Sequence, residues 1–269
     1  MAFTHLLARR EGAVEHLTLN RPDLRNAFNE EMVGEISEWA ISRHADLTVR
    51  AAVLRGAGQV FSAGGDLGWM ARTVEYTREQ NLVDADALAR MYSVLDTLPF
   101  PLVGCIHGAA LGGATGLAAV CDIVIAARDV VFGFTEVRLG IVPAIISPYV
   151  VAKIGPSAAR ELFLTGARFS AERAREIGLV HTIVEPEALD DEVRRVVEGL
   201  LACGPQAVAA TKGLIRRVAA GPSAEAAALA AEVLADARVS AEGQEGLRAF
   251  LEKRRAAWRE DAETDRRRR

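Results

Sequence analysis

The stretch from Cys105 to Asp122, C-I-H-G-A-A-L-G-G-A-T-G-L-A-A-V-C-D, constrains this chain more than any other. Leu102, Val103, Cys105 and Ile106 make a short apolar run that reads as a buried strand and breaks at Gly108. Gly112-Gly113 follows, and then a helix of small residues from Ala114 to Val120. A strand that ends at glycines and restarts as a helix leaves backbone N–H groups pointing out of the helix N-terminus. Aimed at an oxygen that becomes negative, such donors form an oxyanion hole. The same turn can equally be a strand–helix connection packed on a neighbour. What separates the two readings is a second turn of the same design, Ala63-Gly64-Gly65-Asp66. Two turns can give one N–H each to a single oxygen, as a thioester enolate requires, and Gly65 and Gly113 are the expected donors.

Around these turns the first half of the chain alternates strand and helix. Val14 to Leu19 reads as a half-buried strand, and Asn29 as the cap of a helix with Met32, Val33, Ile36, Trp39 and Ala40 inward. Ala51 to Leu54 reads as a buried strand, Leu67 to Met70 as a helix, and Leu82 to Leu95 as a long amphipathic helix. Ile123 to Ala127 and Val130 to Phe134 continue the strands. Beyond Pro143 the spacing predicts helices over 147–154, 157–164, 171–177, 189–202, 206–218, 223–238 and 242–259. The expected organisation is an α/β core over 1–195, a helical region over 196–259, and a disordered tail over 260–269 ending in Arg266 to Arg269.

Several chemistries are excluded by inspection. Gly56-x-Gly58 lacks the third glycine of a dinucleotide fingerprint, no glycine loop runs into Gly-Lys-Ser/Thr, and no serine sits in G-x-S-x-G. The five histidines show neither an i,i+4 pair nor cysteine pairs beside them, so no metal site is expected. A formal net charge of −4 and the lack of an internal basic stripe argue against nucleic acid as a partner. The three cysteines are widely spaced and read as reduced thiols. With no apolar leader and no run of membrane-spanning length, the expectation is a cytoplasmic protein that does not engage membranes.

The ordered series L-N-R-P-D-L-R-N-A-F-N, F-S-A-G-G-D-L, H-G-A-A-L-G-G-A-T-G-L, C-D-I-V-I-A, F-T-E-V-R-L-G-I-V-P and G-L-R-A-F-L-E-K-R-R resembles the enoyl-CoA hydratase/isomerase (crotonase) superfamily over nearly the whole chain. The resemblance implies a spiral of ββα units with a perpendicular sheet, C-terminal trimerisation helices, and a homotrimer or homohexamer. It implies an acyl-CoA substrate and no separate cofactor, coenzyme A being part of the substrate. Gly65 and Gly113 match the two oxyanion donors. Ala63, Gly64, Asp66 and Leu67 match the segment that holds coenzyme A, and Arg25, Asn26, Ala27 and Phe28 the loop that covers it. Phe250 and Lys253 match C-terminal positions that reach coenzyme A, often across a subunit boundary.

Family hydratases commonly hold water between two glutamates. Here the resemblance supplies only Glu136, because Gly116 stands where the first would be. Glu136 follows an apolar strand, where desolvation raises a carboxyl pKa and suits acid/base work. The expectation is an enoyl-CoA hydratase, with a Δ3-Δ2-enoyl-CoA isomerase using the single glutamate as the alternative. The composite around Gly116 and Ala144-Ile145-Ile146-Ser147-Pro148 is similar to bacterial hydratases of 3-methylglutaconyl-CoA-like substrates in leucine and terpene breakdown. Arg138 is a candidate partner for a distal carboxylate; Trp69, Met70, Gly116 and Tyr149 are further candidates for the acyl pocket. A non-catalytic or RNA-binding member is the alternative from another class.

Overall fold

The computed structural model describes residues 3–219 and 221–259; the expected tail at 260–269 lies outside the described residues. β1 (Leu6–Glu11) and β2 (Val14–Leu19) form an antiparallel hairpin, followed by α1 (Glu30–His44). Asn29 caps α1 by accepting from Met32 N at 3.0 Å, and the five inward residues are those the spacing predicts. β3 (Ala51–Gly56) returns parallel to β2, and α2 (Leu67–Thr73) and α3 (Arg78–Asp96) lead to β4 (Leu102–Ile106), parallel to β3. Then come β5 (Ala109–Leu111), α4 (Gly113–Val120), β6 (Ile123–Ala127) and β7 (Val131–Gly133). α5 (Ser147–Thr165), β8 (Arg168–Ser170), α6 (Ala171–Glu176), β9 (Thr182–Val184) and α7 (Leu189–Leu201) close the core. α8 (Pro205–Val218), α9 (Ala224–Val239) and α10 (Ala241–Leu251) follow and pack on one another.

The six-stranded sheet runs β1-β2-β3-β4-β6-β9, and a second sheet runs β5-β7-β8. β4 and β6 are apolar throughout, and β3 is apolar but for Arg55 near its end, because the sheet around them is covered on both faces. β1 went unmarked in the sequence because it is an edge strand whose Leu7, Ala8, Arg9 and Arg10 are exposed. β5, β8 and β9 have three residues each, too few to show a period.

The helices expected over 147–154 and 157–164 are both present within α5, separated by a kink where Gly155 takes φ +73° before Pro156. Two expectations need correction. The helix expected to reach residue 259 stops at Leu251, and Lys253 turns into the left-handed region at φ +55°. α7 passes straight through the boundary expected after residue 195 and packs on β3, β4 and β6, so the helical region begins after it. Lys212 of α8 ties that region to the core by donating to Asp122 Oδ2 at 2.7 Å. No helix among the described residues is long and apolar enough to cross a membrane.

The loop from Arg21 to Phe28 is fastened from within. Asn26 is fully buried at φ +54°, a conformation asparagine tolerates better than most side chains. Its Oδ1 accepts from Arg21 N at 2.9 Å, while Nδ2 donates to Ala57 O at 2.7 Å and Val60 O at 2.9 Å. Asn26 was expected to bind coenzyme A; its side chain is instead wholly engaged as scaffold. Substituting Asn26→Ala leaves two carbonyls and an N–H without partners and should lower stability by about 2–4 kcal/mol, read as a shift in urea midpoint at unchanged slope.

Candidate active site

The two glycine turns are joined edge to edge. Ser62 N donates to Ala109 O at 3.0 Å and Leu111 N to Ser62 O at 3.2 Å, a short parallel pairing that sets 61–65 beside 109–112. Gly64 sits at φ +95°, and a Cβ there would stand 2.7 Å from Leu111 O, so backbone meets backbone with no room for a side chain. On the other flank Phe28 N donates to Gly64 O and Asp66 N to Phe28 O, both at 2.7 Å. In a trans peptide the N–H points opposite to the C=O, so with Gly64 O turned to Phe28 the N–H of Gly65 points away from it. Gly112, at φ +54°, donates to Gly133 O at 2.7 Å and starts α4. Gly113 is the first helical residue, and its N–H has no carbonyl within the helix to bond. Among the described residues neither the Gly65 nor the Gly113 N–H is taken by an acceptor.

Glu136 opens a 3₁₀ turn over Glu136–Leu139 directly after β7. Its Oε1 lies 3.4 Å from where a Cβ on Gly112 would be, so the carboxyl rests against the turn. Its Oε2 is buried and has no hydrogen-bond partner among the described residues. Burial pushes the Glu136 pKa above the ordinary glutamate value, with its own backbone N–H opposing weakly. A desolvated carboxyl with one oxygen unused, beside two unused N–H donors, is equipped to take and return a proton next to a stabilised oxyanion.

Gly116 does not open onto water. A Cβ there would fall 2.2 Å from Ile146 Cγ2 and 3.2 Å from Tyr92 Cε1. The space a second carboxylate would need is filled by Ile146 and the Tyr92 ring, both buried. The expected acyl-pocket role of Gly116 is therefore replaced by close packing.

The loop residues proposed for coenzyme A occupy one rim. Arg25 is exposed at φ +52°, and its carbonyl accepts from Ala63 N at 2.9 Å. Ala27 and Phe28 are buried, whereas Leu67 is 82% exposed. Asp66 caps α2 by accepting from Trp69 N at 3.0 Å and pairs with Arg21 Nη1 at 3.0 Å. Burial opposes its charge, but these bonds outweigh it and hold the carboxyl pKa below its usual value. Arg21 was missed in the sequence; it also donates to Ala27 O at 2.6 Å, locking loop to turn.

Met70 packs against Gly65, its Sδ 3.4 Å from where a Cβ on that glycine would be. Trp69 is buried and donates to Asp84 Oδ1 at 3.1 Å, which fixes α2 on α3. Tyr149 stacks on Tyr92 at 5.8 Å between ring centroids. Arg138 commits its Nε to Gly166 O at 2.8 Å, so its guanidinium is anchored at the end of α5. Phe250 is 81% exposed, and α10 packs chiefly on α8 and α9, so one chain does not bring Phe250 or Lys253 to the glycine turns.

Residues 9–261 match the sequence profile of the enoyl-CoA hydratase/isomerase family. The chain is 30% identical to a crotonyl-CoA hydratase of Syntrophomonas wolfei, covering 95% of this chain and 98% of that protein. It is 32% identical to a trans-2-decenoyl-[acyl-carrier-protein] isomerase of Streptococcus mutans, covering 95% and 98%. The fold superposes on the crystal structure of an enoyl-CoA hydratase from Shewanella pealeana with a TM-score of 0.92 at 38% identity, covering 95% and 96%. Two paired glycine turns with a desolvated glutamate beside them thus sit on a crotonase-like α/β fold, and the chain belongs to the enoyl-CoA hydratase/isomerase family.

Proposed function

We propose that the protein is an enoyl-CoA hydratase with Glu136 as its one acid/base group. The observation that carries this is the unpartnered, buried Glu136 Oε2 beside the Gly112-Gly113 turn. The thioester oxygen of a 2-enoyl-CoA accepts from the Gly65 and Gly113 N–H groups. Glu136 removes a proton from water as its oxygen attacks C3, and the negative charge passes to the thioester oxygen as an enolate. The same carboxyl returns that proton to C2, so one water is added on one face and the glutamate is regenerated. The rim formed by Arg25, Ala27, Phe28, Ala63, Gly64, Asp66 and Leu67 is proposed to hold coenzyme A, completed by Phe250 and Lys253 of a partner in a homotrimer or homohexamer. A cytoplasmic location and a branched, 3-methylglutaconyl-CoA-like substrate are narrower proposals. The latter has no support from Arg138, which is anchored on Gly166.

A second reading, a Δ3-Δ2-enoyl-CoA isomerase, is favoured by one feature. Ile146 fills the place of a second carboxylate, and an apolar wall suits a reaction in which one glutamate carries a proton from C4 to C2 without water. A panel of 2-enoyl-, 3-enoyl- and 3-methylglutaconyl-CoA esters separates the readings. Hydration removes the conjugated enoyl-thioester absorbance, whereas isomerisation of a 3-enoyl ester creates it.

Substituting Glu136→Gln should reduce kcat by at least about a hundredfold in either reaction while CoA-ester binding persists. Unchanged turnover would sink the mechanism. As the base acts deprotonated, activity should fall as pH drops through the raised pKa, placing the acidic limb of kcat/KM above the ordinary glutamate range. The folded pKa lies above the unfolded one, so ionising Glu136 works against folding as pH rises through that window. The glutamine variant, free of this charge, should melt no lower than the parent at neutral pH. Gly116→Ala should destabilise by about 1–3 kcal/mol through overpacking on Ile146, and Ile146→Ala should relieve part of it in a double-mutant cycle.

A further inference from the structure

We propose that Tyr92 is a positioning residue for the Gly113 N–H, acting through its hydroxyl; this rests on the reading of Gly65 and Gly113 as oxyanion donors. Tyr92 lies on α3, is 1% exposed, and donates from Oη to Gly113 O at 2.7 Å. The first turn of α4 needs such support because its N-cap is Gly112, which has no side chain to hold it. Residue 113 is a glycine as well, so its torsions lack the restriction a side chain would impose.

Beyond the backbone bonds of Thr115 N and Gly116 N to Gly112 O, at 2.9 and 3.3 Å, three groups hold the turn. Gly112 N donates to Gly133 O at 2.7 Å, and Thr115 Oγ1 donates to Ala110 O at 2.6 Å and Gly133 O at 3.0 Å. These two fasten the turn to the second sheet. The Tyr92 bond comes from α3 and is the one of the three placed on Gly113 itself. Shape reinforces it: a Cβ on Gly113 would stand 3.0 Å from Tyr92 Oη and 3.1 Å from Phe28 Cε2. The phenol ring is wedged between Tyr149, stacked at an interplanar angle of 29°, and the Gly116 face of α4.

Burial, together with the nearby Glu136 carboxyl and Tyr149, pushes the phenol pKa above its usual value. Tyr92 therefore stays protonated and serves as a donor, not as a proton carrier. A misaimed oxyanion donor loses stabilisation of the transition state while leaving substrate binding nearly intact.

The test uses para-dimethylaminocinnamoyl-CoA, whose absorbance moves to the red when hydrogen bonds to its thioester carbonyl draw charge along the conjugated chain. Bound to the parent enzyme it should show that shift. Tyr92→Phe, which keeps the ring in its stack, should bind it within about threefold yet lose at least half of the shift. Its kcat on a 2-enoyl-CoA should fall about ten- to hundredfold with KM little changed. If Tyr92→Phe gives the parent's shift, Tyr92 does not position the donor, whatever happens to kcat, and the oxyanion reading stands. If the parent itself gives no shift, both fall. Should Tyr92→Phe not fold, a ring-fluorinated tyrosine at position 92 is a stronger donor of nearly the same shape. It should enlarge the shift, and an unchanged spectrum would overturn the proposal.

Discussion

The site depends on one close approach of backbone to backbone. Gly64 lies against Leu111 with no space for even a methyl group, and the parallel pairing of Ser62 with Ala110 holds the two segments in register. That pairing is what makes two separate strand-end turns into a single feature with two N–H groups left over. Neither turn could supply it alone. An N–H turned away from its ladder, as at Gly65, and one at the mouth of a helix, as at Gly113, are both unsatisfied by construction.

The other elements can be understood as supports for that pair. Asn26 and Arg21 consume the polar groups of the loop that covers the Gly64 turn, and Asp66 caps α2 while receiving Arg21. Thr115 and Gly133 hold the Gly112 turn on the second sheet. Against this rigid backbone Glu136 is chemically unsettled, buried with a free oxygen and a raised pKa. Burial makes that carboxyl more basic than a solvated one.

Much of this was legible in the chain. The inward face of α1, the apolar strands β3, β4 and β6, and the Gly155-Pro156 break all follow from local pattern, because periodicity and torsional preference are written residue by residue. The short strands β5, β8 and β9 were not legible, since three residues carry no period and their pairing comes from distant segments. Asn26 looked like a ligand-binding loop residue, yet its partners, Ala57 and Val60, are more than thirty positions away.

The order of residues supplies the atoms, two glycine turns and one glutamate in F-T-E, and the family resemblance marks Gly116 as standing where a second glutamate would be. Glycine and carboxylate chemistry is intrinsic to the residue. How those atoms are arranged is set by folding. It aimed the Gly65 and Gly113 N–H groups, closed the Gly116 position with Ile146, and set the Tyr92 hydroxyl on Gly113. Direction, burial and close packing arise between segments brought together by folding, and no single stretch of chain carries them.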